Sequence, residues 1–154
     1  MLKKIKDWRP KKIRITILGK DVGKTTLLMK YSKYDESKEN DIDYIFESNI
    51  NIEGQDYKLE LIDPISEDDY QNMMDVWISD GDGLILILAI NDKETFDILK
   101  LRYEKAMKIL NGRIYPMILV RNKKDLENER KVTYDEAKSV ADSWGIEYID
   151  FWKN

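Results

Sequence analysis

The feature that most constrains the fold is a glycine-rich stretch that joins an apolar run to a helical pattern. Isoleucines alternate from Lys12 to Leu18, which predicts a buried strand, and Gly19 and Gly23 follow directly. From Lys24 to Tyr34, leucines and a tyrosine return at helical spacing. A strand, a tight turn and a helix in this order point several backbone amides at a single spot, where they bind phosphate. We therefore expect an α/β fold with an anion site at this turn.

The remaining pattern alternates strands with helices. Two strands, Tyr44 to Ile52 and Gln55 to Ile62, flank the two-residue turn Glu53-Gly54 and predict a hairpin. The other predicted strands are Gly83 to Ile90, Tyr115 to Val120 and Glu147 to Phe151, and the other predicted helices are Asp68 to Ser79, Glu94 to Leu110 and the segment from the capping box at Thr133 to Gly145. This order predicts a mostly parallel sheet with one antiparallel edge hairpin, and ligands bind such sheets at the carboxyl ends of the strands.

Composition limits the chemistry. The chain of 154 residues is 42% hydrophobic, enough for one core, and it contains neither cysteine nor histidine. Thiolate nucleophiles, imidazole bases and the commonest zinc ligands are therefore excluded. The formal net charge of −4 argues against nonspecific nucleic-acid binding, although basic residues concentrate near the N-terminus. We divide the chain into a basic extension, residues 1–11, and one domain, residues 12–154.

The glycine turn carries the first group of candidate site residues. Lys24 would neutralise phosphates held by the loop amides, and the Thr25 hydroxyl would ligate Mg²⁺. The usual loop has four residues between its glycines, whereas this chain has only Lys20, Asp21 and Val22. The alternative interpretation is an ordinary turn that contains glycines and a lysine but binds no phosphate.

Two further groups follow later strands. Asp63 ends the second hairpin strand, where a carboxylate can hold Mg²⁺ through water. Asn122, Lys123 and Asp125 follow a later strand; the Asp125 carboxylate can accept the ring N–H and the exocyclic amine of guanine, and the Lys123 stem can cover the base. Each group taken alone has another interpretation. Asp63 can simply end a strand, and residues 122–125 can form an ordinary polar turn that binds no ligand.

With these three groups in order, the chain resembles a small GTPase of the Ras superfamily, most closely its Ras branch. The resemblance also covers NIEGQDYKLELID, GDGLILILAINDKETF, YPMILVRNKKDL and GIEYID. It implies a six-stranded, mostly parallel sheet between helices, GTP or GDP and Mg²⁺ as ligands, protein effectors or regulators as partners, and signalling as the role. Its phosphate-loop residues correspond to Gly19, Lys20, Asp21, Val22, Gly23, Lys24, Thr25 and Thr26, its metal-associated residues to Thr25 and Asp63, and its guanine reader to Asn122, Lys123 and Asp125.

The chain departs from the family pattern mainly in the hydrolytic machinery. Asp21 brings a carboxylate to the phosphate loop, and Asp41 stands where the family has a threonine that closes on the metal. Ser66 still offers an amide to phosphate, but Glu67 replaces the glutamine that orients the attacking water. If hydrolysis occurs, Lys24 and Glu67 are the candidate catalytic residues and the rate is expected to be slow.

The end of the chain also departs from the family. The last guanine-contacting loop reads Asp150-Phe151-Trp152-Lys153, and the family's final helix and prenylation cysteine are missing from this sequence. Three explanations of the missing helix stay open: one face of the sheet is uncovered, a partner covers it, or the sequence is a truncated or incomplete product. We expect a cytoplasmic protein. Leu2, Ile5 and Trp8, interleaved with basic residues, raise the alternative of contact with an anionic membrane face.

Three functional hypotheses stay open at this stage. The leading one is a guanine-nucleotide switch with slow hydrolysis. The second is a nucleotide-free pseudo-GTPase that serves as an interaction module, motivated by the substitutions at Asp21, Asp41, Ser66 and Glu67. The third is an ATP-using phosphate-loop enzyme, which Asp125 disfavours because adenine lacks the ring N–H that a carboxylate accepts.

Overall fold

The computed structural model describes residues 11–19, 33–34, 43–64, 67–122 and 130–150. These residues form one sheet with the strand order β2-β3-β4-β1-β5-β6-β7. The strands are β1 (Lys11–Leu18), β2 (Lys33–Tyr34), β3 (Asp43–Ile52), β4 (Gln55–Pro64), β5 (Gly83–Ala89), β6 (Met117–Asn122) and β7 (Glu147–Asp150). The helices within the described ranges are α1 (Glu67–Asp80), α2 (Lys93–Leu110) and α3 (Tyr134–Trp144).

The predicted six-stranded, mostly parallel sheet is confirmed, and a short seventh strand extends one edge. Strand β1 pairs in parallel with β4 and β5, β6 pairs in parallel with β5 and β7, and β3 runs antiparallel to β4. The predicted helix that starts at Lys24 lies outside the described residues except at its end. There Lys33 and Tyr34 pair with β3 as strand β2, so this end of the prediction is wrong. Pairing with a strand distant in sequence overrides local helical spacing.

The antiparallel hairpin closes as its turn residues predict. Glu53 and Gly54 both have positive φ, 51° and 82°, as a two-residue turn between twisted strands requires. The Gly54 amide donates to the Asn51 side-chain oxygen at 3.1 Å, and the Asn51 amide donates to Asp56 at 2.7 Å. The turn therefore fixes the register of ten paired residues between β3 and β4.

One face of the sheet, here called the first face, carries the larger core. Leucines from the central strands point to it and pack against all three described helices. Its buried members include Leu18, Leu84, Leu86, Leu88 and Leu119 from the strands, Met74 and Trp77 from α1, Leu99 from α2, and Ala137 and Ala141 from α3. Tyr103 of α2 stacks on Trp144 of α3 with ring centroids 3.8 Å apart. The three helices and the sheet therefore share one continuous core.

The opposite face, here called the second face, has a smaller core made of strand residues. Ile17, Phe46, Leu61, Ile87 and Val120 are buried there. A band of isoleucine and leucine beside them is only partly buried; it comprises Ile15, Leu59, Ile85 and Ile118. Within the described ranges, no helix residue belongs to this second cluster.

Candidate functional site

The carboxyl ends of the parallel strands meet at one edge of the sheet. Leu18 of β1 lies opposite Leu86 of β5, and Ala89 of β5 lies opposite Asn122 of β6. On the other side of β1, Thr16 lies opposite Ile62, the residue before Asp63. Three strands that the sequence connects to phosphate, metal and base therefore end along the same edge, which is where ligands of such sheets bind.

The phosphate side of this edge is described at two positions. Gly19 is buried and directly follows β1, whose last residue, Leu18, is fully buried in the first-face core. Asp63, near the end of β4, has 2% of its surface exposed. The structure thus brings the start of the predicted phosphate loop and the predicted metal-associated carboxylate to neighbouring strands. Residues 20–32, which hold the other loop candidates Lys20, Asp21, Val22, Gly23, Lys24, Thr25 and Thr26, lie outside the described residues.

The base side is anchored on β6. Asn122 is the last residue of this strand and pairs with Ala89. Lys123 and Asp125 lie outside the described residues, as do Asp41 and Ser66. Glu67 is the first residue of α1, and its side chain is outside the description. The structure thus aligns the strand that leads into the predicted guanine reader with the strand that leads into α2.

Backbone hydrogen bonds tie the chain after the reader back to β5. The Ile90 carbonyl accepts two bonds, from the Lys131 amide at 2.7 Å and from the Val132 amide at 2.9 Å. Ile90 itself is fully buried. Because Ala89 pairs with Asn122, the two ends of the reader segment are both fixed to consecutive residues of the chain at the end of β5.

Two helix N-termini stand beside this edge. Asp92 caps α2 by accepting from the Thr95 amide, and Thr133 forms the predicted capping box with Glu136 at the start of α3. Lys93 bridges the two helices through an ion pair with Glu136 at 3.2 Å. The backbone hydrogen bond from Thr133 and, after it, the bond from Lys93 lower the pKa of the Glu136 carboxyl below its ordinary value.

Two described groups at this edge are of a kind that a nucleotide with Mg²⁺ would use. The Oδ1 atom of Asn91, just after β5, is buried and accepts no hydrogen bond from the residues that the structure describes, so an acceptor is available there for a donor group. The Asp63 carboxylate is a hard oxygen donor of the kind that Mg²⁺ prefers. Within the part of the chain that the structure describes, no cluster of three or more metal-ligating residues occurs.

The sequence reasoning missed several residues at this edge. Arg121 immediately precedes Asn122, is 4% exposed and lies opposite Asp150 of β7. The signal was present as a single charged residue in the apolar run of β6, which the strand prediction passed over. Asn91 and the ion pair between Lys93 and Glu136 were also missed, because they depend on contacts between elements distant in sequence.

None of the described helices combines the length and the apolar character that crossing a membrane would require.

Comparison with known proteins connects this arrangement to a family. The model of the Ras family matches residues 14–152. The chain is 31% identical over 140 residues to the GTP-binding protein Rheb of Homo sapiens, which covers 89% of this chain and 76% of that protein. It is 29% identical over 143 residues to the GTP-binding protein Rheb homolog of Drosophila melanogaster, covering 91% and 79%. It is 28% identical over 145 residues to the Ras-like protein rasZ of Dictyostelium discoideum, covering 90% and 66%.

The family match, over residues 14–152, includes all three groups of residues that the sequence predicts for phosphate, metal and base. Nearly the whole chain is covered, including the sheet that aligns Gly19, Asp63 and Asn122 at one edge. The chain therefore belongs to the Ras family, within the Ras superfamily of small GTPases.

Proposed function

We propose that this protein binds GTP and GDP with Mg²⁺ and acts as a cytoplasmic signalling switch. The observation that carries the proposal is the common edge of β4, β1, β5 and β6, where Asp63, Gly19 and Asn122 lie at or next to the carboxyl ends of β4, β1 and β6. The orphaned acceptor of Asn91 and the buried carboxylate of Asp63 supply the polar groups that such a ligand needs. Family membership supports the same ligand, and the relatives named GTP-binding protein support it further.

The proposed roles divide between the two sides of the edge. Residues 19–26 enclose the phosphates with their amides, and Lys24 neutralises phosphate charge. Thr25 and Asp63 hold Mg²⁺, which when bound supplies charge neutralisation between the phosphates. Asn122, Lys123 and Asp125 recognise guanine, and the Ser66 amide reaches the terminal phosphate. We place the boundary between the basic extension and this domain after Lys11, the first residue of β1.

Hydrolysis is proposed to be slow. Glu67, the first residue of α1, stands where the family has a glutamine, and its carboxylate is repelled by a triphosphate instead of orienting water toward it. Lys24 stabilises charge on the phosphates, but Glu67 does not offer the side-chain amide with which the family's glutamine orients water. Protein regulators are therefore expected to set the rate in the cell.

A titration with fluorescent GDP and GTP in the presence of Mg²⁺ tests nucleotide binding. We expect saturable binding that unlabelled guanine nucleotide competes and ATP does not. Asp125→Asn provides a sharper test, because the carboxamide offers a donor where the carboxylate only accepts. That variant should lose guanine nucleotide and gain affinity for xanthine nucleotide, which presents a carbonyl at the matching position. Asp97→Asn, on the exposed side of α2, is the matched control and should bind as the wild type does.

The alternative function, a nucleotide-free interaction module, predicts that the protein binds no guanine nucleotide. It is motivated by Asp21 and Asp41, which bring negative charge to the phosphate side. Protein purified from cells and then denatured should release about one guanine nucleotide per chain if the switch proposal holds. Absence of nucleotide in that extract, together with no saturable titration, would favour the interaction module.

Single-turnover hydrolysis tests the role of Glu67. Glu67→Gln should raise the rate, while Glu94→Gln in the first turn of α2 should leave it unchanged. If the rate does not rise and binding is intact, Glu67 does not limit hydrolysis.

A further inference from the structure

The second face of the sheet carries an apolar band that its own strands leave partly open. The band runs diagonally from Leu59 on β4 through Ile15 on β1, Ile85 on β5 and Ile118 on β6, and we call these four residues the diagonal band. Ile149 on β7 continues it and is 36% exposed. Strands in the interior of a parallel sheet are ordinarily covered on both faces. An additional apolar element is therefore expected to pack here.

The register shows that these side chains share one face. Ile15 lies opposite Leu61, and Ile17 lies opposite Ile85, which in turn lies opposite Ile118. Leu61 and Ile17 are buried members of the second-face core. Since side chains two residues apart on a strand point to the same side, Ile15 and Leu59 face the same way as Ile17 and Leu61. The diagonal band is thus a continuation of that core toward the amino-terminal edge of the sheet.

We propose that the segment Met1–Pro10 of this chain packs on the diagonal band through Leu2, Ile5 and Trp8. The segment joins the sheet at Lys11, the first residue of β1, and β1 lies between β4 and β5 in the middle of the band. Its apolar residues recur every third position, so they can all face one side. The contact would complete the burial of the diagonal band.

The length of the segment suits the span. From β1 to β6 is two strand spacings, about 10 Å. Ten residues span about 15 Å as a helix and up to about 33 Å when extended. Ile15 and Ile118 are therefore both within reach of a chain that starts at Lys11.

Charge also favours this occupant. The segment has four basic residues and one acidic residue, interleaved with the apolar ones. On the same face, the exposed Glu147 of β7 lies opposite Ile118 at the border of the diagonal band. A covalently attached segment also acts at high effective concentration, which a second copy or a membrane does not share.

Cross-linking of paired cysteines tests the contact in the full chain, which has no cysteine of its own. Asp7→Cys combined with Ile118→Cys should give an intramolecular product with a short bifunctional thiol reagent. Asp7→Cys combined with Leu101→Cys is the matched control, because Leu101 is a 64% exposed leucine on α2 at the first face. We expect no product from the control pair.

Three outcomes would overturn the proposal. Equal cross-linking of both pairs would mean that the segment has no preferred site. Only intermolecular product from the first pair would assign the face to a second copy. No product in solution, together with sedimentation of the protein with phosphatidylserine vesicles, would assign the segment to a membrane. If Ile118→Cys fails to fold, Ser48→Cys serves instead, because Ser48 lies opposite Leu59 at the other end of the band.

A double-mutant cycle in urea provides an independent readout. Trp8→Ala and Ile85→Ala should be coupled by about fivefold or more in the unfolding equilibrium constant, because residues in contact are not additive. Trp8→Ala with Leu101→Ala should be additive. Additivity in both cycles would overturn the proposal, and none of these readouts depends on nucleotide.

Discussion

The two faces of the sheet differ most clearly at neighbouring residues of the same strand. Leu84 of β5 is 2% exposed beneath the helices of the first face, whereas Ile85, the next residue, is only partly buried on the second face. Met117 and Ile118 of β6 repeat this contrast. Both strands are apolar on each side, so the difference arises from what packs above them. An apolar strand shows that cover is needed but does not show which element supplies it.

The largest expected effect measures this contrast directly. Leu84→Ala removes a fully packed side chain and should cost about 3–4 kcal/mol of unfolding free energy. Ile85→Ala removes a side chain that is already partly hydrated and should cost about 1–2 kcal/mol. Urea denaturation of both variants gives the two values. Equal losses would mean that the second face is closed as tightly as the first.

The next effect tests how closely the first face is closed where α1 meets β5. A Cβ atom at Gly81 would lie 2.5 Å from the Trp77 carbonyl oxygen and 2.7 Å from the Tyr115 hydroxyl. Gly81→Ala should therefore destabilise the fold by about 2–3 kcal/mol through overpacking. Adding Tyr115→Phe removes one of the two obstacles and should recover part of the loss. If Gly81→Ala leaves the unfolding free energy unchanged, the residues around Gly81 can move to accommodate a methyl group.

A buried hydroxyl offers a smaller effect of the opposite sign. Thr16 is fully buried on β1, and its Oγ1 has no hydrogen-bond partner among the residues that the structure describes. Thr16→Val keeps the shape and removes an unsatisfied polar atom, so it should stabilise the protein by about 1 kcal/mol. Thr95 is the matched control, because its buried Oγ1 donates to the Asp92 carbonyl at 2.9 Å. Thr95→Val should destabilise, and stabilisation by both changes would contradict the argument.

The smallest effect concerns the surface tie between α2 and α3. The hydrogen bond from the Thr133 backbone, followed by the one from Lys93, lowers the pKa of Glu136 in the folded protein. A lowered folded-state pKa stabilises the fold at pH values above the unfolded pKa, and this contribution is lost as pH falls through the folded pKa. Comparing the urea midpoints of wild type and Glu136→Gln should show a small gap at pH 7 that closes as the pH falls through the pKa of Glu136 in the folded protein. A gap that keeps its size over the whole acid range would assign it to packing instead of charge.

Much of the fold could be predicted because its signals are local. The alternating isoleucines of β1, the turn at Glu53-Gly54 and the capping box at Thr133 each describe structure within a few residues, and all three are present. Strand β2 could not be predicted, because it exists only through pairing with Glu47 and Phe46. The difference in burial between Leu84 and Ile85 could not be predicted either, because it depends on elements far apart in sequence.

The candidate site divides in the same way. The order of motifs indicated that Gly19, Asp63 and Asn122 belong together, and the parallel register brings their strands to one edge. The assignment of individual ligand contacts remains a prediction for residues 20–26 and 123–125. Asn91 was missed because nothing local distinguishes a buried amide from an exposed one, whereas Arg121 had a local signal as the single charged residue in the apolar run of β6.

The Ile90 carbonyl has a consequence for how this protein can vary. It accepts hydrogen bonds from the amides of Lys131 and Val132, and the neighbouring Ala89 pairs with Asn122. Both ends of the intervening stretch are therefore fixed at the end of β5. The entropic cost of closing a loop grows only slowly with its length, by about 0.6 kcal/mol for each doubling. Insertions between Asn122 and Arg130 should therefore add little to the entropic cost of folding. Under the proposed function, the stretch that recognises the base can change in length while the sheet that anchors its two ends stays the same.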